Sequence, residues 1–216
     1  MKELISSGLE ALGLTGSVPP DAAEKLAEYG RLLLEKNQVM NLTAIRDEAG
    51  VARLHMLDCA ALLPCADLTG ARTLLDVGTG AGFPGLPLKI LLPQLDVTLL
   101  DSLNKRVDWL NEVSAQLGLT GVRAIQGRAE EKALEKSMRD SFDLVTARAV
   151  ADLRLLSELC LPFVKVGGRF LSMKSVDSDQ ELDQAAHAIK LLGGRVRDVK
   201  GYAIPGADVT HRLVIV

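Results

Sequence analysis

The sequence of 216 residues is poor in aromatic rings, paired cysteines, long apolar runs and excess positive charge. Each shortage removes a class of protein. Aromatics make up 3% of the chain, and Tyr29, Trp109 and Tyr202 are too scattered to form a base-stacking platform. Cys59, Cys65 and Cys160 are an odd set without CxxC spacing, which argues against a disulfide framework or a zinc knuckle. His187 and His211 add no metal-binding constellation, so no metal is expected. Apolar runs stay short of the roughly 18 residues that a spanning helix needs. The opening segment Met1–Ser7 lacks the basic-then-apolar plan of a signal peptide. A cytoplasmic protein without membrane association is therefore expected. Without a secretory signal, the sequon at Asn41–Thr43 carries no implication of glycosylation. The formal net charge of −3 does not by itself point to nucleic acid, leaving local clustering as the route to a basic face.

What is present is the material of a folded α/β domain. Hydrophobic residues make up 48% of the chain, too many for a disordered one. The first third reads as helical. One helix follows Pro19 and Pro20, and a second stretch runs from about Asp47 to Leu63 and stops at Pro64. From Arg72 onward, short apolar runs of the kind seen in buried parallel strands recur at 72–77, 96–100, 122–126, 142–147 and 168–173. Helix-compatible segments lie between and after them, at 86–92, 105–117, 129–138, 153–163 and 179–192. This alternation predicts a parallel sheet covered by helices on both faces. The tail differs: 195–203 and 210–216 are strand-like and joined by a turn too short for a crossover, so they should pair antiparallel. The expected fold is a doubly wound, Rossmann-like sheet of the S-adenosylmethionine-dependent methyltransferase type, mostly parallel with an antiparallel C-terminal hairpin. Residues 1–66 would be a helical extension packed on a core domain of 67–216.

The most informative stretch is Asp76–Gly85, DVGTGAGFPG, which follows the first strand and precedes a helix. In open parallel sheets, ligands sit at the carboxyl ends of the strands, beside the switch point. Glycines there let the backbone approach a ligand closely. The dinucleotide fingerprint requires a glycine at the sixth position, where this chain has Phe83, and the Walker pattern also fails. The GxGxG spacing with Asp76 two residues earlier suits S-adenosylmethionine, whose amino-acid end would meet Asp76 and the backbone of Gly78 and Gly80. Asp101 ends the second strand, where an acid can accept hydrogen bonds from ribose hydroxyls. It could equally cap the following helix, a role for which Ser102 competes. A nucleotide-binding regulatory module without chemistry, such as an NAD-linked one, stays open on these residues.

With these residues in view, the chain resembles the bacterial family of small-subunit ribosomal RNA methyltransferase G, also called glucose-inhibited division protein B. The blocks that carry the resemblance are Asn41–Thr43, Arg53–Asp58, Leu75–Gly85, Asp101–Arg106, Gly127–Glu130, Ala147–Ala149 and His211–Val214, in that order. The resemblance implies S-adenosylmethionine as methyl donor, S-adenosylhomocysteine as product, and N7 of a guanine in the 530 loop of 16S ribosomal RNA as acceptor. The partner would be that RNA, the small subunit or an assembly intermediate. It also implies that Gly78 and Phe83 line the methionine end of the donor, that Asp101 meets the ribose, and that Ala129 and Glu130 meet the adenine. Arg148 would sit beside the donor, facing the target. The family pattern continues past the last strand into a basic, proline-containing tail. This chain ends at Val216, so ordinary cofactor binding with weaker RNA binding is expected.

Guanine N7 carries a lone pair at neutral pH, so its methylation needs no general base. The sequence agrees, offering no cysteine nucleophile motif, no amide-gripping Pro-Pro motif and no paired catalytic acids. Alignment of the reactants would then supply the rate. N7 must stay bare, so Arg148, the candidate catalytic residue, is assigned to O6, to a phosphate or to the cofactor. The competing assignment pairs it with Asp76 or Asp101. Lys105, Arg106, Arg123, Arg128, Arg154 and Lys174 are candidates for a phosphate-binding rim. Arg53 and His55 are further RNA candidates, although Arg53, His55 and Asp58 do not all share one helix face. A methyltransferase of the same fold acting on a small molecule or a protein is the rival activity.

Overall fold

The computed structural model describes residues 1–175 and 179–216. The N-terminal part is helical, as its composition predicts: α1 (Lys2–Ala11), α2 (Ala22–Met40), α3 (Glu48–Val51), a π-helical turn (Ala52–Leu57), α4 (Asp58–Ala60) and α5 (Leu62–Cys65). Helix α5 contains Pro64, where the sequence predicts a stop. At that place in the first turn of a short helix, the missing N–H removes no intrahelical bond.

The rest alternates strand and helix: β1 (Thr73–Val77), α6 (Gly85–Leu91), β2 (Asp96–Asp101), α7 (Asn104–Gln116), β3 (Val122–Gln126), α8 (Ala129–Lys132), β4 (Phe142–Arg148), α9 (Leu153–Cys160), β5 (Val164–Ser175), α10 (Asp179–Leu191), β6 (Asp198–Ala203) and β7 (Thr210–Ile215). They form a seven-stranded sheet in the order β3-β2-β1-β4-β5-β7-β6. The pairs β1–β2, β2–β3, β1–β4 and β4–β5 are parallel, and β7 runs antiparallel to both β5 and β6. The order reverses between β1 and β4, which places the switch point beside the glycine-rich turn after β1.

Alternation along the central strands separates two cores. Leu74, Val97, Leu99, Leu144 and Leu171 face a core shared with α1, α2, the π-helical turn, α6 and α7. Leu75, Val77, Leu100, Val145 and Phe170 face the other, built with α9 and α10. The N-terminal helices thus bury their apolar stripes in the same core as one face of the sheet. Among the described residues, no helix is long and apolar enough to cross a membrane.

Candidate functional site

The glycine turn is shaped from beneath by Asp76. This residue is fully buried, and its Oδ2 accepts hydrogen bonds from the Thr79 hydroxyl at 2.6 Å and the Gly85 amide at 3.1 Å. Its Oδ1 accepts from the Thr146 hydroxyl on β4 at 2.9 Å. Burial pushes its pKa up to about 6, against the opposing pull of those three donors. The backbone then enters the left-handed region at Gly80, with φ of 59°. At Gly82 the constraint is also spatial, because a Cβ would lie 2.7 Å from both the Tyr29 hydroxyl and Leu86. Tyr29, from α2, donates to the Ala81 carbonyl at 2.5 Å, so the N-terminal helices fix the far side of the turn.

Asp101 closes β2 opposite this turn and is 2% exposed. Its Oδ2 accepts from the Gly80 amide at 2.9 Å and from Arg106 Nη1 at 3.3 Å, while Oδ1 accepts from the Leu103 amide at 2.9 Å. It therefore caps the approach to α7 and also lines a pocket of about 130 Å³ with Gly78, Leu100, Ala129, Glu130 and Val150. A buried acid, a glycine floor and an apolar wall suit the hydroxyls and flat base of an adenosyl group. The Val150 side chain stands directly over Gly78. Its neighbour Ala149 has φ of 55°, an uncommon conformation for a residue with a Cβ.

A second, larger pocket of about 450 Å³ opens beside the first, at the ends of β4 and β5, and is lined by His55, Asp58, Arg148, Met173, Lys174 and His211 among others. Arg148 stands at its inner wall. Its Nη1 donates to the Leu54 carbonyl at 3.2 Å and to Asp58 Oδ2 at 3.1 Å, and its Nη2 lies 3.0 Å from His55 Nδ1. The guanidinium lies 4.8 Å from the centre of the Phe83 ring. His55 stacks on that ring at 4.5 Å, and Tyr29 follows at 5.3 Å.

Burial, and then the charge of Arg148, push the His55 pKa down to about 3. The imidazole is thus neutral near pH 7. A guanidinium can only donate, so Nδ1 accepts a hydrogen bond from Arg148, with the Leu54 carbonyl also 3.1 Å away, and Nε2 carries the ring hydrogen and donates to Thr43 Oγ1 at 2.8 Å. Thr43 is held in turn by Asn37, whose amide exchanges hydrogen bonds of 2.8 and 2.9 Å with the Thr43 backbone.

This architecture of two neighbouring pockets can be compared with known proteins. Residues 22–209 match the family model of rRNA small subunit methyltransferase G. The chain belongs to this family. A member from Alkaliphilus metalliredigens is 45% identical over 215 residues, covering 100% of this chain and 89% of the relative. Another, from Exiguobacterium sibiricum, is 46% identical and covers 89% of this chain and 81% of its own length. Among solved structures, the mitomycin 7-O-methyltransferase MmcR superposes with a TM-score of 0.60 at 18% identity, covering 87% of this chain and 60% of that one. TrmN from Thermus thermophilus gives 0.53 at 22% identity, covering 73% and 47%. Both likenesses are of the fold, a mostly parallel α/β sheet with helices on its faces.

Within this methyltransferase G fold, Gly78, Asp101, Ala129 and Glu130 meet at the first pocket, while His55, Arg148 and Lys174 meet at the second. Asp76 supports the turn from a buried position, and Gly80 offers its amide to Asp101. Phe83 is buried in the stack beside Arg148. Three placements differ from the sequence expectations. Arg148 pairs with Asp58, not with Asp76 or Asp101. Arg106 pairs with Asp101 at the first pocket. Lys174 is 10% exposed and donates to Glu181 and to the Ala151 carbonyl, both at 2.7 Å, so internal partners hold its charge. The Arg53 side chain lies beside Gly206 in the β6–β7 turn.

Sequence reasoning missed the gathering of Asp58, Tyr202 and His211 around Arg148. Asp58 comes from the N-terminal segment, whereas Tyr202 and His211 face each other across the C-terminal hairpin. Their only signal was that Asp58 and His211 lie in blocks resembling the family.

Proposed function

We propose that this protein transfers a methyl group from S-adenosylmethionine to N7 of a guanine in the 530 loop of 16S ribosomal RNA. The observation that carries the reading is the pair of pockets at the carboxyl edge of the sheet, in a chain of the methyltransferase G family: Arg148 and Ala149 line the second, and the next residue, Val150, lines the first. When bound, S-adenosylmethionine supplies an electrophilic methyl group on a sulfonium centre.

The chain's own residues do the rest. Asp101 accepts the ribose hydroxyls, for which its carboxylate already lies at the pocket wall. Gly78 and Gly80 give backbone access for the methionine end, and Ala129 and Glu130 border the adenine. The second pocket holds the guanine. Its N7 lone pair is available at neutral pH, so no residue has to remove a proton. This accords with a neutral His55 whose two ring nitrogens are both engaged. Arg148 orients the acceptor through O6 or a phosphate, leaving N7 bare. Gain in rate then comes from proximity and alignment. Arg53 and exposed cations such as Lys105, Arg128 and Arg154 hold the RNA backbone near the opening. The acceptor is that RNA, either free, within the small subunit or in one of its assembly intermediates.

Labelled S-adenosylmethionine offered with deproteinised small-subunit RNA, intact subunits, cell protein and a metabolite extract tests this reading. Label in the RNA is expected. Label only in protein or metabolite would overturn the acceptor. In a parallel melting experiment, S-adenosylhomocysteine should stabilise the fold. Stabilisation by NADH alone would overturn the cofactor.

A further inference from the structure

Asp58 takes no part in the reading above, yet it is among the most enclosed polar groups of the described residues, with 1% exposure. Its Oδ2 accepts from Arg148 Nη1 at 3.1 Å. Its Oδ1 accepts from the Tyr202 hydroxyl at 2.9 Å and from His211 Nδ1 at 2.8 Å. These donors stand on β4, β6 and β7, and Asp58 itself begins α4 directly after the π-helical turn. A buried carboxyl group is tolerated only when its oxygens are bonded, and here both are.

We infer that Asp58 is the positioning residue for methyl transfer: it fixes the Arg148 guanidinium at the wall of the second pocket and ties it to the β6–β7 hairpin through Tyr202 and His211. This rests on the proposed function and names the device that makes Arg148 effective. The guanidinium fork is planar, so two fixed acceptors on different nitrogens set its orientation. Asp58 and Leu54 hold Nη1, and His55 holds Nη2. Without the Asp58 carboxylate the fork keeps only two neutral acceptors, the Leu54 carbonyl and the His55 ring, and loses its charge-assisted bond and its link to the hairpin.

The turn Ala52–Leu57 contributes to this arrangement. It supplies the Leu54 carbonyl and the His55 ring, and it delivers Asp58 on the same side. Asparagine at 58 has one oxygen and one NH₂ group. With its oxygen on Tyr202 and His211 its NH₂ confronts Arg148; with its oxygen on Arg148, Tyr202 and His211 must turn from donors into acceptors, and in both cases the negative charge beside the guanidinium is gone.

The test is Asp58→Asn, measured on folded protein by methyl transfer to small-subunit RNA and by S-adenosylhomocysteine binding. We expect kcat to fall about 10²-fold, the cost of a misplacement near 1 Å at a reacting centre. KM for S-adenosylmethionine and affinity for S-adenosylhomocysteine should change less than about threefold, because Asp58 lies outside the first pocket. The double variant with Arg148→Ala should be no slower than Arg148→Ala alone, because both remove one device. Should Asp58→Asn fail to fold, Tyr202→Phe decides: it removes only the hydroxyl donor and should lower kcat about threefold or more with little change in melting temperature. An Asp58→Asn protein that melts early but turns over normally per folded molecule overturns the inference. So does a double variant showing the product of the two single losses, or a Tyr202→Phe protein with unchanged kcat. No transfer to RNA by the unaltered protein overturns the proposed function itself, which separates the two failures.

Discussion

The chemistry of the second pocket depends on which side chains carry charge. His55 is neutral because burial disfavours an imidazolium and Arg148 repels one. Its folded pKa lies below the ordinary histidine value, so the unfolded chain binds the extra proton. The associated stability is full above about pH 6.5 and is lost as pH falls below it toward about 3. Nitrogen NMR between about pH 5 and 8 should show His55 Nδ1 unprotonated throughout. Titration near the usual histidine value would contradict the assignment. Asp76 behaves oppositely. Its folded pKa of about 6 lies above the unfolded value, so its stabilising contribution is full below about 3.8 and is lost as pH rises through about 6. Asparagine can keep the Thr79 and Gly85 bonds through its oxygen while Thr146 turns its hydroxyl toward the Leu75 carbonyl, 3.5 Å away. Asp76→Asn should therefore cost less than about 1 kcal/mol at pH 7. The melting temperature of the variant should gain on that of the parent between pH 4 and about 6. A constant difference across that range would show that Asp76 is ionised throughout. Arg148→Ala should cost far more turnover than stability, although burial of its pair with Asp58 adds a real stability loss of about 1–3 kcal/mol. A large melting loss with normal activity per folded molecule would contradict this.

Elements differ in how well the sequence announces them. The parallel strands were legible because a strand buried on both faces is a continuous apolar run, and β1 passes directly into the glycines. The ends of β5 were less so: it runs Val164–Ser175, not 168–173, through a register irregularity opposite Phe142 and Leu144 near its start. Helix α8 was over-read. Residues 129–138 have helical composition, but the helix ends at Lys132, and tighter turns bring Ala133 and Met138 inward while Leu134 stays 79% exposed. Burial of those two side chains outweighs a propensity difference of a few tenths of a kcal/mol per residue. The second pocket was illegible in a stronger sense. The partners of Arg148 are set by the crossing of a π-helical turn with β4, β6 and β7, and no local pattern encodes that meeting. The glycine turn makes an element-scale prediction. A Cβ at Gly80 would meet only the Gly78 carbonyl oxygen, at 3.9 Å, so Gly80→Ala should cost about 1–2 kcal/mol, from the left-handed backbone alone. It should weaken S-adenosylhomocysteine binding tenfold or more, since the Gly80 amide holds Asp101, which lines the donor pocket. Calorimetric titration of the folded variant checks this, and unchanged affinity would place the donor elsewhere.

At the scale of the whole molecule, a formal net charge of −3 has to coexist with an RNA substrate. Association must then rest on a few local cations, and the chain gains little from long-range attraction. With about three or four phosphate contacts to an unpaired loop, log affinity should fall against log salt with a slope of about −2 to −3. Filter binding across a salt series measures it, and a slope several times steeper would reveal a larger basic surface. The sheet order places both pockets on one edge, the N-terminal helices brace the glycine turn through Tyr29, and the C-terminal hairpin braces Arg148 through Asp58. The N-terminal helices and the C-terminal hairpin thus share one core and meet at the site. The most direct check of the account is mass-spectrometric mapping of 16S ribosomal RNA from cells with and without this protein. One guanine in the 530 loop should carry an N7-methyl group only when the protein is present. An identical modification pattern in both RNAs would contradict the account.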